Sequence, residues 1–431
     1  MKRKPTSRPT KGDRRTPSIG APNRATFLSV IITSFVLTLQ FAVSAMAAPV
    51  PIIPQDSTPT SSSKIAFWNT QRRGANCFNA MSTREWWIAA KDAGIEIVRL
   101  APDKWSSQPA AAGDFLIGNA DRYEGLIEAD VLRLKSALDQ ADSAGIRVVL
   151  TMLSLPGTRW RQHNGDQSDL RLWRDTTYWT QAARFWHDLA KRLRDHPAVV
   201  GYNLLNEPTP EFAAPSSRSA SNPAAWYASV ENTAADLNGF YRTVIAAIRS
   251  VDDQTPVILD AGSWASAAAF AYLKPASDDK TLYAFHMYEP FEFTNKKANG
   301  GRFCFPGMVI TESGDTMTLD LSTLQAILSP VAEWQRRHRI SAHRIIAAEF
   351  GCPRTTCGAA DYLADLIQIF NGQNWHWAFY SFREDGWDGM DYELGDKPPG
   401  AAYWQAVQQG KKPTLPRMKN RIWDAIRSQL R

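Results

Sequence analysis

From Phe67 to Trp404 short apolar runs alternate, one for one, with longer stretches of helical spacing. The apolar runs cover residues 65–76, 95–100, 146–150, 199–207, 256–260, 282–288, 343–351 and 375–382. Each is of strand length, and most are apolar on both faces, as strands buried in a parallel sheet are. Between and after them, residues 83–93, 128–144, 178–194, 225–251, 321–337 and 359–370 have apolar side chains at helical intervals, and residues 401–408 and 418–430 read as closing helices. Eight strands alternating with helices predict an α/β chain folded as a single (β/α)8 TIM barrel, in which residues at the C-terminal ends of the strands share one mouth. A doubly wound open sheet would place a glycine-rich phosphate turn after an early strand, and none is present. Residues 289–314 carry neither period and are expected to form a functional loop or lid.

The net charge of +6 suggests a polyanion partner until it is located. Eight of the 49 Lys and Arg residues, but one of the 43 acids, fall in residues 1–47, so the remainder carries 41 basic and 42 acidic residues. The basic balance belongs to that leader, and no nucleic-acid partner follows from it. Residues 1–47 have a basic start, an apolar stretch over 27–43 and the small-residue site Ala45-Met46-Ala47, the three parts of a secretory signal peptide. Secretion, or delivery to a periplasm, is therefore expected, without stable membrane association after cleavage; the long basic start leaves an uncleaved anchor as the alternative. Residues 48–64, rich in Pro, Ser and Thr, read as a linker, and residues 65–431 as the catalytic domain.

An exported chain exposes its thiols to oxidation. Of the three pairings open to Cys77, Cys304, Cys352 and Cys357, the local pair Cys352–Cys357 is expected, leaving Cys77 with Cys304. No metal is expected, because neither pair has Cys-x-x-Cys spacing and the seven histidines form no His-x-x-x-His cluster.

Two of the apolar runs end in a glutamate: Val199-Val200-Gly201-Tyr202-Asn203-Leu204-Leu205-Asn206-Glu207-Pro208 and His343-Arg344-Ile345-Ile346-Ala347-Ala348-Glu349-Phe350-Gly351. Two carboxyls at one end of a barrel are what glycosidic bond cleavage requires: one protonates the departing oxygen and the other attacks or stabilises the sugar carbon. Asn76, Arg99, Asp260, His286 and Tyr288 end other strands and would converge on the same mouth. An esterase would need a Gly-x-Ser-x-Gly elbow after a strand, which is absent.

These positions resemble glycoside hydrolase family 5, the cellulase family among the retaining (β/α)8 glycosidases. The resemblance rests on Asn206-Glu207-Pro208, His286-x-Tyr288, Glu349-Phe350-Gly351 and Arg99. It implies Glu207 as general acid/base and Glu349 as nucleophile. It further implies Arg99 and Tyr288 as donors to the nucleophile, Asn206 as a partner of the sugar 2-hydroxyl, and His286 as a neighbour of the acid/base, with Asn76 supporting. The sequence departs from the family pattern at Leu153, where a histidine is usual, and in Trp377-Ala378-Phe379-Tyr380-Ser381, where Tyr380 or Trp377 would replace a tryptophan beneath the sugar.

Among the tryptophans, Trp86, Trp87, Trp186 and Trp334 have core spacing on helices, whereas Trp105, Trp160, Trp264 and Trp387 follow strands and are candidates for stacking on sugars. Arg159, Asp260 and the acidic residues of 384–391 are candidates for hydroxyl recognition. The expectation is a monomeric, cofactor-free retaining β-glycosidase whose partner is a β-linked glucan or related polysaccharide. The alternative is a non-catalytic carbohydrate-binding protein on the same scaffold.

Overall fold

The computed structural model describes residues 64–109, 113–213, 222–384, 389–411 and 413–431. The signal peptide expected over 1–47 and all but Lys64 of the linker expected over 48–64 lie outside them. Eight parallel strands close a barrel: β1 (Arg73–Cys77), β2 (Ile97–Leu100), β3 (Arg147–Thr151), β4 (Val199–Asn203), β5 (Val257–Asp260), β6 (Thr281–Met287), β9 (Ile345–Phe350) and β10 (His376–Phe379), with β10 pairing back to β1. A separate antiparallel hairpin, β7 (Gly307–Ile310) and β8 (Thr316–Leu319), is inserted after β6. The fold expectation holds, and no helix among the described residues is long and apolar enough to cross a membrane.

The helix ends follow their local chemistry. Helix Arg84–Ala93 starts where the Thr83 side chain accepts from the Trp86 N–H, and stops at Gly94, whose φ of 99° lets its N–H reach back to the Ala90 and Lys91 carbonyls. Trp87, Trp186 and Trp334 are buried under such helices, as their spacing predicts, and Trp86 packs partly buried beside Trp87. The helix expected over 225–251 is instead two, Pro223–Ser229 and Leu237–Arg249, because the Asp236 carboxylate caps the second by accepting from the Gly239 N–H. Residues 289–314 are partly ordered as two helical turns, Phe291–Thr294 and Lys296–Asn299, leading into β7.

Alternate residues of each barrel strand face inward. The lower interior is a separate apolar cluster of Ile97, Val149, Val200, Ile258, Leu282, Ala284, Ile346 and Ala348. Trp68 closes it from below, its indole N–H donating to the Val200 carbonyl at 2.9 Å. Trp68 comes from a 3₁₀ helix, Lys64–Asn69, so β1 begins eight residues later than expected and Lys64 belongs to the plug rather than to the linker. At Gly74 a β-carbon would lie 1.9 Å from the Ile97 carbonyl oxygen; only glycine lets β1 and β2 approach this closely.

Two irregularities aim side chains at the mouth. Val148 pairs with Val199 but Val149 with Gly201, so Val200 is an extra residue in β4 and Asn203 turns inward. Phe285 pairs with Ala347 but His286 with Glu349, so Ala348 is an extra residue in β9. Without that bulge, a residue adjacent to inward-facing Ala348 would point at the helices; with it, Glu349 also faces the interior.

The cysteine expectation is corrected. The disulfide joins Cys304 to Cys357, and Cys77 and Cys352 are free and buried. Cys352 is buried in the core outside the barrel interior, while the chain turns over Pro353–Thr356 and carries Cys357 to the segment after β6, where the Phe305 N–H donates to the Cys357 carbonyl.

Candidate active site

Above the apolar layer lies a polar one built around Arg99, whose side chain is 1% exposed. Its Nε and Nη2 donate to Asn203 Oδ1 at 2.8 and 2.6 Å, Nη2 also to Asn206 Oδ1 at 2.8 Å, and Nη1 to Glu349 Oε1 at 2.6 Å. Nη1 lies 3.2 Å from Asn76 Oδ1, whose amide group donates to the Ala348 and Ala378 carbonyls and so fixes its direction. Asp260 Oδ2 is 3.5 Å from Arg99 Nη2 and accepts from the Glu207 backbone N–H at 3.1 Å. Its other oxygen accepts from Asn203 Nδ2 at 2.8 Å. A buried guanidinium is tolerated only when its charge and donors are matched, and here five side chains supply the match.

Both Glu349 oxygens are held, Oε1 by Arg99 and Oε2 by the Tyr288 hydroxyl at 2.9 Å. Burial raises the Glu349 carboxyl above its ordinary value, and the Arg99 guanidinium opposes part of that rise. Glu207 has no such donor. Burial, followed by the charge of Asp260, pushes its carboxyl up to about 7, with Arg99 offsetting part of the rise. Its backbone φ of 50° is unusual for a residue with a side chain and turns the carboxyl away from the strand into the mouth.

His286 stands between the two carboxyls. Its Nδ1 is 2.9 Å from Glu207 Oε1; Nε2 is 3.5 Å from Asp260 Oδ2 and 3.7 Å from Glu349 Oε1. Burial lowers its pKa, favouring the neutral ring. Two carboxylates near Nε2 favour the proton there, which leaves Nδ1 free to accept from a protonated Glu207. One oxygen or nitrogen from each of Glu207, His286 and Glu349 lie within 4.8 Å of one another. Such a trio could hold a metal, but Arg99 and Tyr288 already donate to the two Glu349 oxygens. The arrangement offers two carboxyls a short distance apart, one held by a cation and a hydroxyl and one pushed toward its neutral form.

Of the expected site residues, Asn76, Arg99, Asn206, Glu207, His286, Tyr288 and Glu349 converge here. Tyr380 reaches the rim, its hydroxyl accepting from Asn79 Nδ2 at 2.8 Å and its ring edge-on to Phe78. It joins Phe78, Ala101, Leu153 and Trp160 in a small apolar cluster, so the Leu153 and Tyr380 departures adjoin one another. Trp377 is corrected: it is fully buried among the helices with its indole N–H on Asn371, because it alternates with inward-facing His376 and Ala378. Trp105 is also buried, edge-on to Phe115, and Arg159 is tied to Asp114, so neither is a free sugar contact. Trp264 is 54% exposed and lines a cavity of about 740 Å³ that reaches Glu207 and His286. Trp387 lies outside the described residues.

Sequence reasoning missed two residues. Asn203 is the main acceptor for Arg99, and only the bulge at Val200 reveals that it points inward. Asp103 is buried and accepts from the Leu153 and Ser154 N–H groups at 3.0 and 2.7 Å, shaping the loop after β3. Burial pushes its carboxyl up to about 7.

The chain is similar to known proteins. It is 26% identical over 208 residues to Endoglucanase C of Acetivibrio thermocellus, a match covering 48% of this chain and 50% of that protein. It is 32% identical over 117 residues to an endoglycoceramidase of Cyanea nozakii, covering 26% and 22%. The chain thus spans half or less of the length of these curated relatives. The structure of an endoglucanase from the hyperthermophile Thermotoga maritima superposes with a TM-score of 0.53 at 18% identity, covering 76% of this chain and 92% of that one, a likeness of fold. The family model described as Cellulase (glycosyl hydrolase family 5) matches residues 59–386, and with that match over most of its length the chain belongs to glycoside hydrolase family 5.

Proposed function

We propose that the chain is a retaining β-glycosidase that hydrolyses a β-glucan or related β-linked glycoside by double displacement. One observation carries the reading: carboxyl oxygens of Glu207 and Glu349 lie within 4.8 Å, with both Glu349 oxygens held by Arg99 and Tyr288 while burial and Asp260 push the Glu207 carboxyl up to about 7. Retaining enzymes hold their carboxyls about 5–5.5 Å apart, whereas inverting ones leave about 6.5–9.5 Å for a water.

In the first step Glu349 attacks the anomeric carbon as Glu207 gives its proton to the departing oxygen. A glycosyl ester on Glu349 and a Glu207 carboxylate result. Glu207 then takes a proton from water, whose oxygen displaces Glu349 and restores both groups. Arg99 and Tyr288 keep Glu349 ionised and fix its direction. Asn206, held by Arg99, presents its amide N–H groups to the sugar beside the reacting carbon, where contacts tighten as positive charge develops. The endoglucanases among the relatives support a β-linked glucose-type glycone. Export, expected from residues 1–47, fits a fold that closes a disulfide between Cys304 and Cys357.

The test is an array of β-linked oligosaccharides and aryl β-glycosides, with product anomers followed by NMR, for the parent and Glu349→Ala. The β-anomer should appear first, and the variant should lose about 10³-fold or more, a barrier rise of at least about 4 kcal/mol. First release of the α-anomer would exclude double displacement.

A further inference from the structure

We propose that Glu384 is a positioning residue for glycoside cleavage: its carboxylate clamps the loop after β1, and through Asn79 that loop holds Tyr380 in place at the rim of the mouth. The proposal deepens the glycosidase reading and rests on it. Glu384, on the loop after β10, is by sequence a candidate for hydroxyl recognition. It is only 8% exposed, and its oxygens accept from the protein instead.

Three consecutive backbone N–H groups converge on this carboxylate. Phe78 donates to Oε2 at 2.8 Å, and Asn79 and Ala80 donate to Oε1 at 2.8 and 3.3 Å. A nest of amides is an anion site, and here the anion is a side chain of the same chain. The Cys77 thiol adds a contact of 3.6 Å to Oε1; burial and the Glu384 charge push that thiol up, so it stays a donor. Hydrogen bonds to an ionised acceptor are roughly twice as strong as neutral ones, so the carboxylate ties the loop after β1 firmly to the loop after β10.

Such a clamp would be a staple of the fold alone if the loop it held packed only into the core. This loop borders the site. The Phe78 ring centroid is 5.2 Å from the Arg99 guanidinium carbon and 5.7 Å from the Tyr380 ring centroid. Asn79 Nδ2 is 2.8 Å from the Tyr380 hydroxyl and 3.5 Å from Glu384 Oε2, so one amide bridges the two. Lys104 Nζ donates to Asn79 Oδ1, which fixes the amide's direction and leaves its N–H groups toward Tyr380 and Glu384.

The chain of contacts answers the departure at Tyr380. A tyrosine ring is smaller than an indole and carries a polar tip that needs a partner when it is half-buried. Asn79 supplies the partner, and Glu384 holds Asn79 by its backbone and its side chain. Glutamine cannot do the same, because its amide nitrogen would face an N–H group where one carboxylate oxygen now accepts.

The experiment compares kcat and KM of the full chain with those of Glu384→Gln, Asn79→Ala and the double variant, on the aryl glycoside of the sugar found by the β-linked array. Glu384→Gln should raise KM about tenfold or more, with kcat changing much less, as expected for loss of hydrogen bonds to a charged group that holds the sugar's wall. Asn79→Ala should raise KM by a similar factor, and the double variant should be little worse than either, because both break one chain of contacts. A clamp that served the fold alone would lower the active fraction, so kcat would fall with KM unchanged. That result, or KM effects that multiply in the double variant, would overturn the proposal. Should Glu384→Gln fail to fold, Glu384→Asp, which keeps the charge and draws it back by one methylene, gives the same comparison. Cellotetraose binding to Glu349→Ala, with and without Glu384→Gln, separates the clamp from the chemistry. A loss of affinity of about tenfold supports the clamp even where product anomers exclude double displacement, and equal affinities overturn it.

Discussion

Replacing Glu207 by glutamine isolates the cost of burying a carboxyl without donors. Glu207 is 18% exposed, and burial beside Asp260 raises its carboxyl from an ordinary 4.5 to about 7. Between those values the folded protein holds a proton that the unfolded chain has released. Folded stability therefore falls as pH rises through this window, and the loss is complete above pH 7. At 1.36 kcal/mol per pH unit the shift corresponds to about 3 kcal/mol. Glutamine keeps the shape and removes the titration. Urea unfolding of the parent and Glu207→Gln at pH 4.5, 6 and 8 should show the variant's relative stability increasing by about 3 kcal/mol across the series. Relief of Glu349 from its neighbour's charge works in the same direction. Parallel stability profiles would refute the argument that Glu207 is neutral in the resting site. Activity carries the same signature: hydrolysis should decline as pH rises through about 7, because the acid is then spent before the bond is reached.

Arg99→Met should destabilise by about 3–5 kcal/mol, leaving Glu349 and Asp260 buried without a cation, and should abolish turnover; denaturant titration and kcat measure the two effects. Cys304→Ser opens a 53-residue loop and should cost about 4 kcal/mol by chain entropy, read by thermal unfolding with and without reductant. Cys77→Ser and Cys352→Ser should leave the parent's response to reductant unchanged, since both thiols are free. Trp377→Ala should lower stability by about 3–5 kcal/mol with KM unchanged, whereas a sugar platform would lose affinity.

The barrel was legible because strands buried on both faces must be apolar almost throughout, as Ile97-Val98 and Val257-Ile258-Leu259 are, and because no glycine-rich turn supported an open sheet. The converging polar residues were legible for the complementary reason: Arg99, Glu207, His286 and Glu349 interrupt or end runs that otherwise exclude charge. Direction was harder to read. Trp377 and Tyr380 differ by three positions, and only strand alternation separates a core residue from one at the mouth. That count was available for β10 but misleading for β4 and β9, where an extra residue reverses it. Asn203 was missed for this reason. The break after Ser229 had a local signal in Asn232-Thr233 and the capping Asp236, outweighed by the apolar spacing on either side. The disulfide depended on how the segment after β6 folds, which no spacing rule supplies.

The extra residue at Ala348 makes the site sensitive to length as well as to composition. Shortening β9 by that single alanine would preserve its apolar character and its pairing with β6 and β10, yet rotate the carboxylate at Glu349 toward the surrounding helices. The resulting chain could fold as a barrel and still lack the proposed nucleophile. Grafting this active site onto another eight-stranded scaffold therefore requires transferring the irregular pairing of β9 along with the glutamate it carries.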